Sequence, residues 1–181
     1  MKINYLYNPF IWIAGLKSLI LGLMGLLLTT FLAYTTGTHF NGLSNIDFAK
    51  DSDYWFFLIE NLLNWLLISV FLYLSGFILS KSKIRAIDVL GTTLFARIPL
   101  IIAPLIRMIP LFKSFVFQSW EMYFVTGVYL FSVFWTIILL FNGFKISCNL
   151  KNERLITSFI ISLLFSEIVT RFIIISITLK T

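Results

Sequence analysis

The chain has one cysteine, one histidine, four prolines and eight acidic residues in 181 positions. A lone Cys148 excludes a disulfide within the chain. With His39 as the only imidazole, the chain cannot supply a multi-ligand zinc site or a Cys/His pair with an orienting third group. No HExxH, GxSxG, Walker-type GxxxxGK(S/T) or glycine-rich phosphate loop occurs, so a metalloprotease, a serine hydrolase and a nucleotide-driven pump each lack their parts. Asp88 is the one aspartate inside an apolar segment, and it sits at an end, which leaves an intramembrane aspartyl protease without its second carboxylate. We expect no enzyme, no cofactor and no metal.

What is abundant is apolar surface. Hydrophobic residues make up 59% of the sequence and charged residues only 12%, with 20 phenylalanines; the mean hydropathy is +0.95. A soluble globule of this size would leave apolar patches far beyond the few hundred square ångströms that soluble monomers tolerate, so the solvent for much of the chain is lipid. The 14 basic residues give a net charge of +6, but they lie at the ends of apolar segments rather than on one face. That is the pattern of membrane topology and not of a nucleic-acid interface.

A helix needs about 20 mainly apolar residues to cross a hydrocarbon layer about 30 Å thick. Five segments qualify, at roughly 10–34, 55–79, 86–109, 120–144 and 155–179. The fold class is therefore an all-α, polytopic membrane bundle, with residues 1–181 forming a single transmembrane domain. The first segment is longer than a signal-peptide core and reads as a retained helix. Between the first two spans lies a polar loop of about 20 residues that holds His39, Asp47, Asp51 and Asp53; the other connections are short.

Alternating sides collect Lys2 and Lys17, then Lys81, Lys83 and Arg85, then Lys145, Lys151 and Arg154 on one face, eight basic residues against Lys50, Lys113 and Lys180 on the other. Arg97, Arg107 and Arg171 fall inside spans. The excess predicts a cytoplasmic N-terminus and an outside C-terminus. Trp12, Trp55 and Trp120 near span ends fit either headgroup anchoring or bundle packing.

Two stripes of small residues stand out: Gly15, Ser18, Gly22, Gly25 and Thr29 in the first span, and Ser158, Ser162, Ser166 and Thr170 in the fifth. Lipid supplies no hydrophobic drive for helix association, and small side chains let helices approach closely, so both stripes read as packing seams. Glu60, Asn61 and Asn64 share a face of the second span, where hydrogen bonds between helices would explain them.

The candidate functional residues are the charges at depth, Glu60, Asp88, Arg97, Glu167 and Arg171, together with Pro99 and Pro104. A central charge costs about 2.5 to 3.5 kcal/mol on the insertion scale, whereas each Leu, Ile, Phe or Val returns about 0.3 to 0.6. Glu167 and Arg171 are four residues apart and can pair along the helix. Arg97 has no such neighbour; Asp88 falls on the opposite side of a straight helix, so Arg97 must reach Glu60, Glu167, a carbonyl or water, or snorkel. The two prolines should kink or break the third span near its middle, either to fit the bundle or to expose backbone groups to a substrate.

The run Asp88-Val-Leu-Gly-Thr-Thr-Leu-Phe-Ala-Arg-Ile-Pro99 resembles the segment of Yip family membrane proteins in which a proline enters a span. Phe134-Trp-Thr-Ile-Ile-Leu-Leu-Phe-Asn-Gly143, a short basic loop and a last apolar helix are similar to the end of that domain. The likeness covers nearly the whole chain. The long cytosolic N-terminal region and the Asp-Leu-Tyr-Gly-Pro motif of the eukaryotic members are absent, so the resemblance is to the compact, bacterial-type branch, and the GTPase-binding role of the eukaryotic members is not carried over. It implies a multi-pass membrane protein without an established reaction. The function expected is a scaffold or partner-binding protein whose rim of Lys81, Lys83, Arg85, Lys145, Lys151 and Arg154 attracts anionic lipid or an acidic membrane or cytosolic partner. The alternative is a small oligomeric transporter or channel using Arg97, Glu167 and the broken third helix.

Overall fold

In the structure, a computed structural model, residues 4–48, 52–112 and 119–178 are described. Lys2, Lys50, Asp51, Lys113 and Lys180, which entered the topology argument, lie outside these residues. A short helix α1 (Asn4–Tyr7) and a 3-10 turn (Pro9–Ile11) precede the first long helix, α2 (Leu16–Thr36). The hairpin strands β1 (Thr38–Phe40) and β2 (Ile46–Phe48) follow, and then α3 (Tyr54–Leu79). The third span is divided into α4 (Ala86–Ala96), a 3-10 segment (Ile98–Ile101) and α5 (Ile102–Arg107); α6 (Trp120–Cys148) and α7 (Asn152–Thr178) complete the bundle.

Five segments are long and apolar enough to cross a membrane: Leu16–Thr36, Tyr54–Leu79, Ala86–Arg107, Trp120–Cys148 and Asn152–Ile177. Each overlaps one of the five segments read from the sequence, with the fourth ending four residues later, the fifth beginning three residues earlier and the first beginning six residues later. The helix begins at Leu16 rather than near residue 10 because Pro9 starts a separate 3-10 turn and Gly15, at φ +61°, turns the chain in a conformation that disfavours side chains. Trp12, Trp55 and Trp120 are all exposed near span ends.

The stripe in α2 is a seam against the third span. A Cβ on Gly22 would lie 2.7 Å from the Phe95 backbone nitrogen, one on Gly25 2.8 Å from Ile98 Cγ1, and one on Gly91 2.5 Å from Ser18 Oγ. Nothing larger than hydrogen fits where these two backbones meet, so the close packing that small residues allow is realised at this crossing. The serine stripe of α7 is buried and faces α3, where Ser162 Oγ lies 2.6 Å from Ser75 Oγ and 3.3 Å from the Phe71 carbonyl oxygen.

The third span breaks where the prolines fall. Pro99 sits at the start of the 3-10 segment and Pro104 in the first turn of α5, both positions at which the absent N–H removes little intrahelical bonding. The ladder restarts through Leu100 N–H donating to the Arg97 carbonyl at 3.0 Å.

The connection between the first two spans departs from expectation. It is an antiparallel hairpin, with Thr38 paired to Phe48, His39 to Asp47 and Phe40 to Ile46, and its first strand is buried throughout. Gly37 ends α2 in the left-handed conformation at φ +62°, which reverses the chain into the strand. Five residues rich in Asn, Gly and Ser, 41–45, make the turn. A backbone that enters the end of a bundle must bond its polar groups to protein, and pairing its two limbs meets part of that requirement.

Candidate functional site

The buried polar residues of four spans converge on that hairpin. From α3, both Glu60 carboxylate oxygens approach His39 Nδ1, at 3.1 and 3.2 Å, and Asn64 Nδ2 donates to the Phe40 carbonyl at 2.6 Å. From α5, the Arg107 guanidinium lies 4.0 Å above the Phe48 ring and donates to the Gly37 carbonyl at 3.5 Å. From α6, the Tyr129 hydroxyl donates to the Leu43 carbonyl at 3.0 Å. From α7, Glu167 accepts from Leu43 N–H at 2.7 Å, Ser44 N–H at 3.2 Å and Ser44 Oγ at 2.6 Å, and pairs with Arg171 at 3.2 Å. Gly42 passes so close to the Glu167 carboxylate that a Cβ there would overlap it.

Several residues singled out in the sequence thus lie together at one end of the bundle, but for a different reason from the one expected. Glu60 and Asn64 bond a β-hairpin rather than a neighbouring helix, and Asn61 bonds the Phe57 carbonyl of its own helix. Glu167 does pair with Arg171, yet its larger role is to cap the hairpin turn. His39, Arg107, Tyr129 and Gly42 complete this arrangement and were not among the candidates. The signal for His39 was its place three residues beyond the span, in a segment too apolar at Phe40, Leu43 and Ile46 to be a wholly solvated loop.

Beside the hairpin opens a cleft of about 510 Å³, walled by His39, Asn41, Asp47, Glu60 and Arg171 on its polar side and by Phe56, Ile174 and Ile175 on its apolar side. His39 stacks on Phe57 with ring centroids 4.2 Å apart, and its Nε2 is buried with no hydrogen-bond partner among the described residues.

At the opposite end, the turn after α3 and the loop before α7 come together. Lys81, Lys151 and Arg154, with Ser80, Ser82 and Asn149, line a groove of about 490 Å³. Among the described residues, no carboxylate lines it. Lys83, Arg85 and Lys145 are exposed on the same loops and helix end, and Arg85 lies 3.7 Å from Asp88 at the start of α4. Asp88 is therefore a partner of the rim and is separate from the hairpin site.

Arg97 belongs to neither end. It is buried at the junction of α4 with the 3-10 segment, and its Nη2 has no hydrogen-bond partner among the described residues. It shares a gap of about 10 Å³ with Thr29 and Asn61. Of the acids named as possible partners, Glu60 is engaged by His39 and Glu167 by the hairpin turn. Pro99 faces an apolar recess of about 310 Å³ with Phe95, Trp135 and Leu139.

The family model of the Yip1 domain matches residues 5–170. The chain belongs to the Yip1 family. The match runs from α1 to within α7, so the hairpin, the basic groove and Arg97 all fall inside the Yip1 domain. No curated protein and no solved structure matches the chain. Five apolar helices and the Yip1 domain together make this an integral, multi-pass membrane protein in a lipid bilayer. Among the described residues, no group of three or more His, Cys, Asp or Glu side chains is placed to hold a metal ion.

Proposed function

We propose that this Yip1-domain protein is a non-enzymatic membrane scaffold, one transmembrane unit over residues 1–181, whose basic end recruits anionic lipid headgroups. The observation that carries the reading is the groove of Lys81, Lys151 and Arg154, three cations drawn from the turn after α3 and from the loop and first turn that open α7, with no carboxylate in the lining among the described residues. Phosphate or carboxylate groups near such a rim gain roughly 1 kcal/mol per Lys or Arg, so three cations together amount to a selective contact. The charge distribution of the loops favours placing this end at the cytoplasmic face of a bacterial inner membrane. The test is lipid retention by the purified protein, measured by native mass spectrometry with phosphatidylglycerol against phosphatidylcholine. Preference for the anionic lipid, lost on reversing Lys81, Lys151 and Arg154 to Glu, is the expected result. An unchanged lipid profile, together with loss of a co-purifying acidic protein in the same variant, would move the groove from lipid to protein recognition.

A second reading, a small oligomeric transporter, draws on one observation: beside a helix break lies a buried arginine, Arg97, whose Nη2 has no hydrogen-bond partner among the described residues. Flux of ions or small solutes in proteoliposomes, abolished by Arg97→Leu in a folded protein, is its test.

A further inference from the structure

The hairpin-end cleft has features that the basic groove lacks: opposite charges and an apolar wall within one opening of about 510 Å³, a volume in the range of ordinary small-ligand sites. Arg171 supplies the positive side. Its side chain is 46% exposed, and its contacts to Glu167 and Ser44 both use Nη2, so most of the five N–H donors of a guanidinium remain for a ligand. Asp47 supplies the negative side. It is exposed on β2, with one carboxylate oxygen taken by Asn41 Nδ2. Glu60 adds a second carboxylate deeper in the wall, held by His39.

The apolar wall indicates what carries these charges. Ile174, which is buried, and Ile175 belong to α7, and from Ile175 the surface of that helix continues to Phe172 and Ile168; these last three are exposed large hydrophobics on a span. A ligand seated here has its polar part between Arg171 and the carboxylates and its apolar part along a face that meets acyl chains.

We propose that this cleft binds the headgroup of an aminophospholipid, a phosphate and primary-ammonium zwitterion, with the phosphate on Arg171 and the ammonium towards Asp47. Phosphatidylcholine offers the same charges but no N–H for the carboxylates, and phosphatidylglycerol offers no cation. Discrimination among the three therefore reads the site directly. It is independent of the basic groove, which distinguishes lipids by net charge alone.

The experiment is native mass spectrometry of the full chain in mild detergent with equal amounts of phosphatidylethanolamine, phosphatidylcholine and phosphatidylglycerol, with free O-phosphoethanolamine in a separate arm. The expected result is retention of phosphatidylethanolamine at least five-fold over phosphatidylcholine. Asp47→Asn should abolish that ratio, and the Lys81, Lys151 and Arg154 reversals should leave it unchanged. Arg171→Gln should also abolish it; because Arg171 bonds Ser44, protection of the buried Cys148 thiol from alkylation reports whether this variant is folded. If it is not, the wild-type ratio and Asp47→Asn decide. Equal retention of phosphatidylethanolamine and phosphatidylcholine, or a ratio that survives Asp47→Asn, overturns the proposal. Binding of free phosphoethanolamine as tight as that of the lipid would overturn the lipid as its source.

Discussion

The Leu43 amide donates to Glu167 Oε2 at 2.7 Å, joining the tip of the hairpin to the middle of a helix 124 residues further along the chain. The same residue is held from its other side, since the Leu43 carbonyl accepts from the Tyr129 hydroxyl. A carboxylate that costs several kcal/mol to place in a span is thereby matched to backbone donors that would otherwise enter the bundle end unbonded. Two liabilities of membrane burial offset each other at one contact.

Glu167→Ala should therefore destabilise the fold by at least about 2 kcal/mol, because it removes charge-assisted bonds to two amides and a hydroxyl and leaves the amides unpaired. Cys148 is the single cysteine and is fully buried, so its alkylation rate against temperature measures the change. Gly42→Ala should act in the same direction through overlap with the carboxylate. An unaltered melting curve for Glu167→Ala would show that the hairpin is held from elsewhere.

The His39–Glu60 pair should behave as a coupled unit. Removing one member of a buried, hydrogen-bonded polar pair leaves the other without compensation, at about 3 to 5 kcal/mol where a carboxylate is one of the two, whereas replacing both with apolar groups of similar size costs much less. Glu60→Leu alone should thus destabilise strongly, and His39→Phe with Glu60→Leu should recover much of the loss. Melting of the two single variants and the double variant gives the coupling energy directly; additive losses would show that the pair does not act as one.

The five spans were legible because length and hydropathy alone decide them, and the α2 stripe was legible because seams of small residues follow helical periodicity. The hairpin was not. Its strands are three residues each, too short for alternation to show, and its stability rests on Glu60, Arg107, Tyr129 and Glu167, contacts that span up to 124 residues. Glu60 and Glu167 were recognised as costly, but their common partner lay in a segment read as loop. The basic rim was legible as charge, whereas its closing into a groove depends on how the turn at 80–85 meets the loop at 149–151.

Glycine positions offer a paired test of the seam. Gly91→Val should destabilise by about 1 to 3 kcal/mol or more, since its side chain would meet Ser18 Oγ at 2.5 Å and the Gly15 carbonyl oxygen at 2.6 Å. A Cβ on Gly127, in contrast, has nothing within 4 Å, so Gly127→Ala should be neutral or stabilising by up to about 1 kcal/mol through helix propensity. Both are read by the same thiol-protection melt, and equal effects would place α2 and α4 further apart than described.

Arg97 gives the sharpest division between a structural and a transporting protein. A buried guanidinium whose Nη2 has no hydrogen-bond partner among the described residues has a desolvation cost that this nitrogen does not recover, and in a span it carries an insertion cost of about 2.5 to 3.5 kcal/mol that leucine does not. If its burial is only tolerated, Arg97→Leu should leave the melt unchanged or raise it, because Leu26, Leu94 and Leu100 already line the same gap. If Arg97 is kept for flux, the variant should keep its fold and lose proteoliposome uptake. Arg97→Lys separates the two further: it retains the charge, so charge-dependent flux would persist in it, whereas a purely structural arginine predicts no uptake in any of the three proteins. Marked destabilisation by Arg97→Leu would instead mean that the guanidinium is paired, and would remove the single observation on which the transport reading stands.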